Sequence, residues 1–205
     1  MSSKNREKIY LEDCYYHIYN RGVAKQVIFH DKQDYAVFLN LLKRYLDREP
    51  ARDNKGREYD WLHPILELLA FCLMPNHFHL LVYQVEPEAM TRLLRGVATS
   101  YTKHYNKRYR RVGPLFQDRF KASMITSDEY LEHVSRYIHL NPRDYMQWEY
   151  SSLPYYLGAK QAAWVSPQKI LDQFKETHSD YLEFVNDYKD THDALEKIKH
   201  ELADY

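Results

Sequence analysis

The chain has 205 residues, 44% hydrophobic and 28% charged, with a formal net charge of zero, which suits a globular protein long enough for one compact domain with an appended tail. It holds no run of 18 apolar residues, and its opening stretch MSSKNREKIYLEDC has no apolar h-region, so neither a membrane span nor a secretory signal is expected. With only Cys14 and Cys72, Cys72 within an apolar run, a disulfide framework or a cysteine zinc site is not expected, and a reducing, cytoplasmic setting fits.

In chain order, residues 14–20 (CYYHIYN) are aromatic and β-branched and predict a strand, which Arg21-Gly22 ends. Asp31 is placed to cap a helix over 32–47, with Tyr35, Phe38, Leu39, Leu42 and Leu46 at helical spacing. The polar stretch 49–60, with Pro50 and Gly56, predicts a loop. Strands follow over 65–74 and 77–85, joined by a Pro75-Asn76 turn. A long helix over 88–109 carries a stripe of Met90, Leu93, Leu94, Val97, Tyr101 and Tyr105, and Gly113-Pro114 stops it. Residues 121–125 predict a short strand. Ser127 then caps a helix that Pro142 stops near Asn141.

The order β-α-β-β-α-β predicts an α+β fold of the ferredoxin-like, split βαβ kind, with an antiparallel sheet and helices on one face. Beyond Trp148, stretches 167–177 and 179–200 predict two helices of a C-terminal tail. The expected division is a domain over 1–158 and a helical, acidic tail over 159–205. Charge divides along similar lines. From Asp172 onward ten acidic residues stand against four basic, leaving residues 1–171 with a net +6, and between Met90 and Gln117 there are seven Lys/Arg and no acid. A basic body with an acidic tail is a layout for DNA binding, with the tail folding over the basic site as one expected arrangement.

Three groups of residues carry chemistry. Within HFH, side-chain alternation puts His77 and His79 on one face of a strand, about 7 Å apart, where they can share a divalent cation. Taken alone, the pair fits two polar residues on an exposed sheet face as well. On the helix over 127–141, Tyr137 and Asn141 are an i, i+4 pair on the inward stripe, a phenol and an amide oxygen on one side. Tyrosine is common here, with 20 copies, and Asn141 before Pro142 also reads as a helix C-cap. The third group is the interleaving of Lys103, Lys107, Arg108, Arg110 and Arg111 with Tyr101, Tyr105 and Tyr109, extended by Phe116, Arg119, Phe120 and Lys121. Cations track phosphates and rings stack on bases, as single-stranded nucleic acid requires.

These residues lie in motifs with a common likeness. MPNHFHLLV (74–82), GPLFQDRFK (113–121) and RYIHLNP (136–142), with YHIYNRG (16–22), VIFHDKQDY (27–35) and WEYSSLPYYLG (148–158), resemble the REP-associated tyrosine transposases of the single-tyrosine HUH superfamily. The likeness spans about residues 15–158. It implies that His77, His79 and Asn141 bind Mg²⁺ or Mn²⁺ and that Tyr137 is the nucleophile. It further implies a metal-dependent nuclease and strand-transferase working on single-stranded, hairpin (REP-like) DNA through a 5′-phosphotyrosine. Arg21, Arg119, Lys121 and the basic helix are then expected to contact DNA, with no membrane partner and a monomer or homodimer at work. The alternatives are an HUH-fold DNA-binding regulator that does not cleave, or an HUH replication initiator or relaxase.

Overall fold

In the computed structural model, residues 10–175 and 178–187 are described. Four strands, β1 (Cys14–Arg21), β2 (Leu66–Met74), β3 (His77–Gln84) and β4 (Lys121–Ile125), form one sheet in the order β2-β3-β1-β4, every pair antiparallel. Helix α1 (Lys32–Leu46) connects β1 to β2, and α2 (Ala89–Arg108) connects β3 to β4. This is the split βαβ arrangement, with the two central strands coming from different hairpin partners. Asp31 caps α1 through the backbone N–H groups of Gln33 and Asp34, as expected.

Helices cover both faces of the sheet, not one. Phe38 and Leu42 of α1 and Met90, Leu93, Val97 and Tyr101 of α2 bury the face made by Tyr16, Ile18, Phe78, Leu80 and Val82. The opposite face, including Leu69, Cys72, Leu81 and Ile125, lies under α3 (Asp128–His139), α5 (Gln168–Leu171) and α6 (His178–Asn186). The reason is in β2. LELLAFCLM is apolar on both sides, sending Leu68, Phe71 and Leu73 to one core and Leu69, Ala70 and Cys72 to the other. A strand buried on both faces needs a layer on each. Its outer edge is closed by residues 150–152, where Leu73 N–H donates to Tyr150 and Ser152 N–H donates to Phe71, just before the short α4 (Leu153–Tyr156).

The C-terminal stretch joins this second layer. Ile170, Leu171, Tyr181 and Val185 are all buried against α3 and β2. The first expected tail helix is shorter than 167–177, because the turn at Asp172 ends it. The second begins at His178, and the part of 179–200 beyond Asp187 lies outside the described residues, as does most of the acidic run. His139 of α3 ties the layer together. Its Nδ1 meets Tyr181 Oη and its Nε2 meets Ser152 Oγ, both at 2.7 Å.

Where β1 ends, Gly22 must be a glycine. Its N–H donates to Asn76 O at 2.9 Å, and a Cβ there would stand 2.3 Å from the Gln26 carbonyl oxygen and 2.8 Å from Ile28 Cγ2. Gly22→Ala therefore has to displace backbone, and we expect a loss of about 1–3 kcal/mol, read by urea denaturation. An unchanged midpoint would mean that this turn yields freely.

Candidate functional site

The site lies on the sheet face under α3, where β1 and β3 run side by side. Alternation along β3 sends Phe78 and Leu80 into the first core and turns His77 and His79 to the other side. Their rings stand at right angles with centroids 5.1 Å apart, closer than strand spacing alone predicts. α3 supplies the rest. Ser127 accepts from Tyr130 N–H at its start, and Leu131, Val134 and Ile138 dock it on the sheet, so that Tyr137 is lowered beside His79 with ring centroids 5.4 Å apart. The helix ends at His139, and Asn141 stands just beyond its cap residue Leu140.

Asn141 is the link. Its Oδ1 lies 3.1 Å from His77 Nε2, and its carboxamide also hydrogen-bonds the Tyr137 hydroxyl. That second contact favours the phenolate. Burial pushes the Tyr137 phenol up to about 12, partly offset by Asn141. Burial also lowers the His77 imidazole, and it lowers His79 well below its ordinary value, helped by His17 and His77 nearby.

A divalent cation fits this set of donors. His77 Nδ1 stands 2.7 Å from Asn76 Oδ1 while Nε2 faces Asn141 Oδ1, so both ring nitrogens meet carboxamide oxygens. A neutral imidazole has one N–H, and burial disfavours the doubly protonated ring. One of the two contacts therefore lacks a proton, and His77 and Asn141 would have lone pairs to offer a cation. Among the described residues, no group of three or more His, Cys, Asp or Glu is placed to hold a metal ion. A cation here would rest on two imidazoles, one amide and oxygens from outside the protein.

The expected DNA-contacting residues fall into two sets. Arg21 is the register partner of His77 and its Nε donates to Gln117 Oε1, while Lys121 is the partner of Tyr19, which in turn is the partner of His79. Arg119 is exposed in the loop that leads from α2 into β4. Lys103 and Lys107, exposed on α2, and Arg110 just after it belong to the layer on the opposite face of the sheet. Arg108 is committed to Asp31, at 2.5 Å, and to the buried Asp34, at 2.6 Å, clamping α2 to the start of α1. Arg111 lies over the Tyr105 ring, 5.7 Å from its centroid.

The stretch that holds His77, His79, Tyr137 and Asn141 can be compared with known families. Residues 63–141 match the family model described as Transposase IS200 like. This stretch is similar to IS200-like transposases. It runs from just before β2 to Asn141 and so contains the whole candidate site. The chain also resembles a solved structure of a REP-associated tyrosine transposase bound to a REP hairpin, at 16% identity and a TM-score of 0.55, covering 81% of this chain and 92% of that one. At that identity the likeness is one of fold, and it includes the α+β plan described above. A putative transposase from Deinococcus radiodurans R1 aligns at 16% identity with a TM-score of 0.37, over 65% of this chain and 95% of that one. No curated protein matches the chain. The family match over residues 63–141 is to transposases, a family of DNA-processing enzymes, and the structural likeness adds the fold.

Beside His77, His79, Tyr137 and Asn141 stand three residues that sequence reasoning passed over, namely His17, Tyr19 and Asn76. His17 is 2% exposed, its Nε2 is 3.0 Å from His79 Nδ1, and its ring meets that of Tyr137 edge-on. Alternation in CYYHIYN already places His17 opposite in face to Tyr16 and Ile18. Only the strand register brings it to His79. Among the described residues, no helix is long and apolar enough to cross a membrane.

Proposed function

We propose that this chain is a metal-dependent nuclease and strand-transferase acting on single-stranded, hairpin-forming DNA, with Tyr137 as its nucleophile. The observation that carries the reading is the Asn141 carboxamide, which joins the Tyr137 hydroxyl to His77 Nε2. It brings a nucleophile and a cation-binding group to one point on a rigid sheet. Hairpin DNA as substrate takes support from the fold neighbour bound to a REP hairpin, and from the run of cations without acids between Met90 and Gln117.

His77 and His79 through Nε2, with Asn141 through Oδ1, would hold Mg²⁺ or Mn²⁺. Such an ion, when bound, supplies positive charge to the scissile phosphate and to the phenolate. Tyr137 Oη attacks phosphorus as its phenolic proton passes to water. The bond from phosphorus to the 3′ oxygen breaks, and that oxygen takes up a proton. The products are a 5′-phosphotyrosine and a free 3′-OH. Attack by another 3′-OH reverses the step and joins strands, since the tyrosyl ester keeps the phosphodiester energy. Asn141 holds the phenolic oxygen in place throughout. Arg21, Arg119 and Lys121 lie on the near side for phosphate contact, with Lys103, Lys107, Arg110 and Arg111 as a more distant basic track.

The test is a labelled single-stranded hairpin, drawn from repeats flanking the gene, mixed with the protein and Mn²⁺ and run on a denaturing gel. A protein–DNA adduct that EDTA abolishes, and that a fully duplex control does not form, is the expected outcome. Tight hairpin binding with no adduct would instead indicate a DNA-binding regulator. The ligand set is tested without DNA. His77→Ala should weaken Mn²⁺ binding by more than about 100-fold in a calorimetric titration, and equal binding would remove His77 from the set.

A further inference from the structure

His17 belongs to none of the three groups that carry the proposed reaction, yet it makes the closest polar contact to His79. The register sets His17 opposite Leu81 and His79 opposite Tyr19, so the two imidazoles meet diagonally across β1 and β3. Their rings are nearly parallel, at 23°, with centroids 5.1 Å apart and His17 Nε2 3.0 Å from His79 Nδ1. Both residues are buried. Two neutral imidazoles share one proton across that contact. If His17 holds it, the proton of His79 sits on Nε2, and that nitrogen has no lone pair to offer. If His79 holds it on Nδ1, Nε2 is free for a cation.

The neighbouring ligand shows which arrangement the site favours. His77 Nδ1 faces Asn76 Oδ1, an atom that only accepts. Asn141 Oδ1 on the Nε2 side also only accepts, but it stands at 3.1 Å against 2.7 Å for Asn76, so the ring's proton goes to Nδ1 and the Nε2 lone pair is kept. We propose that His17 is a positioning residue that does for His79 what Asn76 does for His77. It accepts the His79 Nδ1–H on its own Nε2, which sets the tautomer and the ring orientation that expose His79 Nε2. Metal-bound histidines commonly have a partner of this kind on the other ring nitrogen. His17 is not a third ligand, because His17, His77 and His79 do not form a group placed to hold one ion. The inference rests on the reading of His77, His79 and Asn141 as a cation site.

The test uses the full chain, metal-free and without DNA. Long-range proton–nitrogen spectra assign the His79 tautomer in the wild type, and calorimetry measures Mn²⁺ affinity in wild type, His17→Phe and His17→Gln. The expected results are a proton on His79 Nδ1, binding about 10–100-fold weaker in His17→Phe, and recovery of most of that loss in His17→Gln, whose amide oxygen can accept in the same place. A His79 proton on Nε2 in the wild type overturns the inference, and that spectrum alone decides it if His17→Phe does not fold. Wild-type affinity in His17→Phe overturns the inference and leaves the cation site standing. A wild type that binds no Mn²⁺ overturns both.

Discussion

Tyr137→Phe is expected to remove covalent adduct formation with single-stranded hairpin DNA by at least roughly 10³-fold, the scale on which loss of a nucleophile acts, while leaving the fold intact. The substitution deletes one oxygen. The ring stays in the core beneath α3, edge-on to His17 and His79. What disappears is the hydroxyl that Asn141 holds, and with it the attacking atom. Binding of the hairpin should change little, because Arg21, Arg119 and Lys121 are untouched. Gel retardation and adduct formation, measured side by side, separate the two effects. An adduct of undiminished yield would move the nucleophile to another of the 20 tyrosines.

The second large effect is a loss of stability in mild acid. Burial pushes the imidazoles of His17 and His139 down to about 3, against about 6.5 in an unfolded chain. Above pH 6.5 both states hold these rings neutral and nothing is lost. As the pH falls below 6.5 the unfolded chain takes up protons that the folded one refuses, so stability declines steadily towards pH 3. At about 1.4 kcal/mol per pH unit for each fully titrating group, and with the unfolded rings half protonated at pH 6.5, the two histidines together cost about 3 kcal/mol between pH 6.5 and pH 5. His79, lowered in the same direction, adds to this. Set against the usual 5–15 kcal/mol of a domain, that is a substantial share. Urea denaturation at pH 7 and pH 5 should show a large fall in the midpoint, with uptake of about two or more protons per molecule on unfolding at pH 5. A midpoint that does not move would show that these rings are hydrated or already charged in the folded protein.

The two effects meet in α3, and this separates what sequence can reveal from what it cannot. Alternation fixes which face each side chain of HFHLLV takes, so His77 and His79 come together without any knowledge of the partner strands. Ser127 and Pro142 bracket α3, and the 3.6-residue period then fixes Tyr137 on its inward side. Those signals are local, and the structure agrees with them to within a residue or two. The second helical layer is legible in principle, since β2 is apolar on both faces, but a run of that kind does not say which later helices return to cover it. His17 is harder. Its face is evident, and its neighbour is a matter of register between β1 and β3, which long-range packing sets. The basic helix is the opposite case. Its composition stands out, yet Arg108 spends its charge on Asp31 and Asp34, and α2 packs on the far side of the sheet from the histidines. Charge along a chain does not reveal which face will hold it.

The most direct test of the central claim is to locate the covalent bond itself. The adduct formed with Mn²⁺ and a hairpin strand can be digested with protease and nuclease and mapped by mass spectrometry. The expected product is a nucleotide joined through its 5′-phosphate to the peptide carrying Tyr137, and absent when EDTA is present. A nucleotide on any other residue, or hydrolysed DNA with no nucleotide on the protein at any time point, would contradict it.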